Sequence, residues 1–100
     1  MHTINDLPKN LTKYVKHFDE ITHFEADVNY THIHLQNGKQ YTVSCTLKRF
    51  EEILQHTEFL RIHRSYIVNR LHIKKSNRHE VLMSDGLRLP VARRRKYQMI

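Results

Sequence analysis

The sequence predicts a mainly β domain: an elongated antiparallel sheet or sandwich with one short amphipathic helix at about residues 46–55. Three observations carry this. Short runs of β-branched and aromatic residues recur between residues 21 and 91. Asn37-Gly38 and Asp85-Gly86 interrupt them, and such dipeptides are the strongest short-range hairpin signal. Only one segment, opened by Thr46, holds apolar residues at helical spacing over a clearly polar face.

Taken in order, residues 7–18 fit two descriptions. Leu7, Leu11, Val15 and Phe18 keep helical spacing, yet Thr12, Tyr14, Val15 and Phe18 suit a strand. Residues 1–19 therefore read as an N-terminal extension or a first strand, and residues 20–100 as the main domain. Ile21 to Ala26 reads as a strand and Asp27-Val28-Asn29 as an exposed loop. Tyr30 to Leu35 and Gln40 to Ser44 form a hairpin about Asn37-Gly38, whose two residues suit the positive φ angles of a type I′ turn. Thr46 offers an N-cap hydroxyl. Leu47, Phe50, Ile53 and Leu54 follow on one helical face, with Lys48, Arg49, Glu51 and Glu52 on the other. Phe59 to Ile62 and Tyr66 to Val68 are strands, the second ending at the turn residue Asn69. Leu71 to Lys75 and Glu80 to Ser84 flank the loop Ser76-Asn77-Arg78-His79, and Leu87 to Val91 returns after Asp85-Gly86. Ala92 to Ile100 is basic and suits a final turn or helix.

At 100 residues the chain fits a single domain with one modest core, and two independent cores would be a stretch. No apolar run approaches the roughly 20 residues that span a membrane, and no signal peptide stands at the start. The single cysteine, Cys45, excludes an intrachain disulfide framework. A cytoplasmic location is the resulting expectation.

The net charge of +7 is unevenly placed. Residues 1–60 hold 6 Lys/Arg against 8 Asp/Glu, whereas residues 61–100 hold 11 against 2. A basic excess confined to one half points to a polyanion-binding face. Eight of those eleven cations are Arg, whose fork fits phosphate and guanine edges. Membrane headgroups and acidic proteins attract the same patch.

Catalytic and metal signatures are thin. His32 and His34 alternate with Ile33 and Leu35, so both face one side of a strand. Zinc or copper would accept that pair, but a structural zinc site wants four ligands and no paired Cys/His spacing supplies the others. A polar outer face is the better reading. Cys45 precedes the helix without a companion catalytic motif and reads as a buried or half-buried thiol. Two glycines leave no phosphate-cradling loop. The sequence therefore predicts no enzyme, no metal and no cofactor. Arg61-Ile62-His63-Arg64-Ser65-Tyr66 is more informative: with Ile62 inward, Arg61, His63 and Arg64 gather donors on one exposed edge. His63, between residues that pack, reads as a turn-bonded histidine. Arg93-Arg94-Arg95-Lys96 is four adjacent cations, a density that suits an anionic partner.

These segments resemble one family. Phe59-Leu60-Arg61-Ile62-His63-Arg64-Ser65-Tyr66-Ile67-Val68-Asn69 is similar to the core motif of the LytTR DNA-binding domain, and Asp85 through Arg94 resembles its closing motif. Phe24 through Thr31 and Leu47 through Glu51 fall upstream in the expected order, so the likeness covers about residues 20 to 97. The resemblance implies an elongated, mostly β domain of bacterial transcription regulators. It implies loops rather than a recognition helix in successive major grooves of double-stranded DNA, often on imperfect direct repeats, with a homodimer assembling there. Carried onto this sequence, it implies contacts at Asn29 and Tyr30, at the turn holding Arg61, His63 and Arg64, and after Pro90 at Arg93, Arg94 and Arg95. In that pattern His63 and Asn69 look more like shapers of the turn than base readers. Arg64 and Arg94 are the expected guanine readers, and Lys74, Lys75, Arg78, Arg93 and Arg95 the expected phosphate clamps. Ala92 departs from the family's usual Ser and removes a hydroxyl. No receiver domain fits the roughly 20 residues before the likeness, so a stand-alone regulator or one domain of a longer protein is expected. The alternative function is a protein-interaction module for an acidic or membrane-bound partner.

Overall fold

The computed structural model describes residues 7–12 and 15–95. Its elements are α1 (Lys9–Thr12), β1 (Ile21–Asp27), β2 (Tyr30–Leu35), β3 (Gln40–Val43), α2 (Leu47–Ile53), β4 (Phe59–His63), β5 (Tyr66–Asn69), β6 (Ile73–Ser76), β7 (Glu80–Met83) and β8 (Arg88–Pro90). Short 3₁₀ turns at Phe18–Glu20 and Arg70–His72 lead into β1 and β6. A five-stranded antiparallel sheet runs in the order β3-β2-β1-β5-β4, and a three-stranded one in the order β6-β7-β8. The mainly β class with one amphipathic helix is what the sequence predicts.

Strand alternation puts two apolar rows on the central sheet, one per face. Phe24 sits opposite both Ile33 and Ile67. That row packs under Phe50 of α2, its ring 4.8 Å from that of Phe24. On the other face Ile62 and Val68 meet Val81, Met83, Leu89 and Val91 from the small sheet and the segment after it. The expectation of one core is corrected here. The described residues form two apolar clusters, but they share the central sheet as a wall, so neither stands alone.

Within residues 7–18, Lys9–Thr12 is helical, and no strand occurs among those residues of 7–20 that are described. Pro8, which has no N–H to lose at a helix start, precedes α1 and accepts from the amides of Leu11 and Thr12 (2.9 and 3.2 Å). Leu7, Leu11 and Val15 then drop into the first cluster. Thr46 caps α2 as expected, its hydroxyl accepting from the Arg49 amide at 3.2 Å.

The β2–β3 turn is not type I′. Among its residues only Gly38 has positive φ (87°). The loop is three residues long: the Gly38 amide donates to Leu35 O (3.0 Å) and Leu35 N to Lys39 O (2.9 Å), with the Asn37 side chain accepting from Lys39 N. This is a turn followed by a glycine bulge, the other favoured hairpin closure. The β7–β8 turn repeats it: Gly86 (φ 93°) donates to Met83 O, Met83 N to Leu87 O, and Asp85 caps Leu87 N.

Candidate nucleic-acid interface

Three backbone hydrogen bonds bring four separate segments to one end of the molecule. Ala26 N donates to Ser65 O (2.8 Å), setting the β1–β2 turn beside the β4–β5 turn. Ala92 N donates to Ile62 O (2.8 Å), laying the segment after β8 along β4. Val91 N donates to His79 O (2.8 Å), adding the β6–β7 turn. The resulting end presents Val28, Asn29 and Tyr30; Arg64 and Ser65; Arg78 and His79; and Arg93 to Arg95. An open concavity of about 550 Å³, lined by Arg78, His79, Val91 and Arg93, lies between the last two segments.

Most residues singled out in the sequence meet here. Asn29, Tyr30, Arg64, Arg93 and Arg94 are exposed, and no ion pair among the described residues engages the three arginines. Lys74 and Lys75 are exposed on β6. Lys96 lies outside the described residues.

Arg61 differs from the exposed-edge expectation. Its side chain is only 13 % exposed. Nη1 donates to Glu51 Oε1 (2.9 Å), Nε to His63 O (3.2 Å) and Nη2 to Arg64 O (2.6 Å). A bulge between Arg61 and His63 in the β4–β5 pairing accompanies this folding-back along the turn. Arg95 is partly engaged too: its Nη1 lies 3.5 Å from both Glu51 Oε2 and Arg61 O.

His63 Nδ1 accepts from the Ser65 amide at 3.1 Å, so its proton sits on Nε2. Burial, and then the charges of Arg64, Arg61 and Arg95, hold its pKa below the usual histidine value. The ring is thus kept neutral and closes the turn. Asn69, fully buried at the far end of β5, gives its amide to Ile21 O (2.9 Å) and accepts from Leu71 N (3.0 Å).

At this end sequence reasoning missed the role of Glu51 and the left-handed backbone of Val28, though not its exposure. Glu51 reads only as part of the polar face of α2, because nothing local marks a partner ten positions away. Val28 is 89 % exposed with φ 56°, a conformation that β-branched residues rarely take. An apolar residue between Asp and Asn in a turn was the available signal.

His32 and His34 lie half-buried on the face of β2 opposite Ile33. His32 Nε2 bonds Asp27 Oδ2 (2.9 Å) and its Nδ1 bonds Thr42 Oγ1 (2.7 Å), while His34 Nε2 bonds Glu25 Oε1 (3.0 Å). The His34 ring stacks on His23 at 4.1 Å. His23 is buried; its pKa falls to about 4 through burial and then the neighbouring His34, against the opposing pull of Glu25 and Asp85. Among the described residues no three such side chains converge on a metal-sized site. Cys45 is half-buried, and burial raises its thiol pKa despite Arg49.

The family model of the LytTr DNA-binding domain matches residues 12–99. The chain belongs to the LytTR family. It is similar to a solved LytTr DNA-binding domain of a putative methyl-accepting/DNA response regulator from Bacillus cereus. That likeness has a TM-score of 0.74 at 29 % identity, covering 82 % of this chain and 79 % of that one. It is 40 % identical over 68 residues to the transcriptional regulatory protein LytR of Staphylococcus aureus (strain N315), covering 63 % of this chain. It is also 40 % identical over 58 residues to the sensory transduction protein LytT of Bacillus subtilis (strain 168), covering 53 % of this chain. The alignments span 27 % of LytR and 24 % of LytT, about a quarter of each. Within this LytTR domain, no helix of the described residues is long and apolar enough to cross a membrane.

Proposed function

We propose that the chain binds double-stranded DNA sequence-specifically, as the DNA-contacting domain of a bacterial transcription regulator, by laying the turns of one end into the major groove. The observation that carries this is the convergence of four segments, with Arg64, Arg78, Arg93 and Arg94 exposed on them, at a single end. A two-stranded hairpin is narrow enough for a groove about 12 Å wide. Neighbouring hairpin tips in one sheet stand about 10 Å apart, from the spacing of strands.

The roles divide by freedom of the side chain. Arg64 and Arg94 read guanine edges, with Asn29 and Tyr30 beside them. Arg78 and Arg93, lining the concavity, and Lys74 and Lys75 on β6 contact phosphates. Arg61 and His63 shape the turn that presents Arg64, and Arg95 divides its donors between the fold and DNA. Two copies sit side by side on imperfect direct repeats. Residues 1–19 are an N-terminal extension whose Leu7, Leu11 and Val15 pack into the first cluster of the DNA-binding unit. The location is cytoplasmic.

The test is a fluorescence-anisotropy titration of the purified chain against a duplex it has selected from a random library, and a shuffled copy, at several salt concentrations. The selected duplex should bind at least about 10³-fold tighter, with affinity on both falling steeply as salt rises. Binding to neither at low salt would contradict the DNA reading and favour an acidic or membrane-bound partner for the same basic end.

A further inference from the structure

Glu51 is a carboxylate beside the cationic segments of that end, where it should repel the DNA proposed above. Its geometry gives it another task. Oε1 accepts from Arg61 Nη1 at 2.9 Å, and Oε2 faces Arg95 Nη1 at 3.5 Å. Through Arg61, whose other donors hold His63 O and Arg64 O, it reaches the β4–β5 turn. Through Arg95, which also approaches Arg61 O, it reaches the segment carrying Arg93 and Arg94. One side chain on α2 therefore ties together two DNA-facing segments that are separate in sequence.

We propose that Glu51 is a positioning residue for specific DNA recognition: it spans Arg61 and Arg95 and so holds the Arg64 turn and the Arg93–Arg94 segment in one fixed relation. This rests on the DNA-binding reading. A carboxylate that only repels lowers affinity for every duplex. A carboxylate that orients readers lowers non-specific affinity by its charge while raising specific affinity by preorganisation. The two roles thus change specific binding in opposite directions when the charge is removed. Anchoring on α2 suits the task, because that helix is fixed from within by Leu47, Phe50 and Ile53 in the first cluster.

The experiment compares wild type, Glu51→Gln and Arg61→Lys on the selected and shuffled duplexes, with hydrogen exchange of the Ser65 amide followed without DNA. Glu51→Gln should bind the shuffled duplex about two- to threefold tighter, since a negative charge is gone. It should bind the selected duplex about tenfold more weakly, and Ser65 should exchange faster as its turn loosens. Arg61→Lys keeps the charge but loses the fork, and should show the weaker selected binding without the gain on the shuffled duplex. Glu51→Gln binding both duplexes more tightly would overturn the proposal, as would equal losses on both or an unchanged ratio between them. A wild type that does not distinguish the two duplexes would overturn the DNA reading and this proposal with it.

Discussion

At the end of the molecule away from the arginines, the β2–β3 and β7–β8 hairpins close alike. Each has a three-residue loop, an Asx side chain capping the amide two residues on, and a glycine at φ near 90°. At the arginine end no turn uses glycine. The β1–β2 turn puts Val28 at φ 56°, and the β4–β5 turn is held by Arg61 and by the neutral ring of His63. Turns that only reverse the chain take the residue that does so without strain. Turns that present side chains to a partner cannot give those positions to glycine, so they store strain or borrow support from distant residues.

The largest expected effect breaks the contrast from the arginine side. The double variant Arg64→Ala/Arg94→Ala should lose about 2–6 kcal/mol of specific DNA affinity, the sum of two base-reading contacts. Its thermal midpoint should stay within a degree or two of wild type, since both side chains are exposed. Midpoint loss measured by circular dichroism would make these residues structural.

The second effect lies on the histidine face. His23 has its pKa lowered from 6.5 to about 4. Between those values the unfolded chain holds the extra proton, so stability rises with pH there. The contribution is complete above about pH 6.5 and is lost as pH falls toward 4, amounting to up to about 3 kcal/mol. His63, also lowered, acts with the same sign. His23→Gln should flatten the rise in thermal midpoint across that window, and a slope equal to wild type would contradict the assignment.

A third change tests the far end. Asn69→Ala removes a buried amide that serves Ile21 O and Leu71 N. It should cost about 1–3 kcal/mol in chemical denaturation while DNA affinity per folded molecule holds. A selective loss of binding would place Asn69 in recognition.

Val28→Gly relieves a left-handed β-branched residue and should raise stability by about 1 kcal/mol, net of glycine's greater unfolded-state freedom. Lower stability, measured by urea denaturation, would mean that Val28 is not strained.

Much of this was legible in the sequence for physical reasons. Strands, α2 and both glycine turns follow from local rules: alternation, a capped apolar face, and an Asx-Gly pair. The turn class at Asn37-Gly38 was not legible, because the same dipeptide serves either closure and the choice rests on which residues pair. Residues 7–18 satisfied two periodicities, and burial of Leu7, Leu11 and Val15 against the first cluster decided between them. The exposed-edge reading of Arg61 failed because strand alternation carries no information about Glu51, which only the packing of α2 brings near. Charge asymmetry marked residues 61–100 as the basic half of the chain. It could not separate Arg64, left exposed, from Arg61, engaged within the fold.

The most direct test of the central claim is an amide NMR titration of the isotope-labelled chain with its selected duplex. Resonances of residues 28–30, 64–65, 78–79 and 93–95 should shift together and saturate at one stoichiometry, while those of 37–39 and 85–87 stay in place. Shifts centred on the two glycine turns, with the arginine end unmoved, would contradict the account.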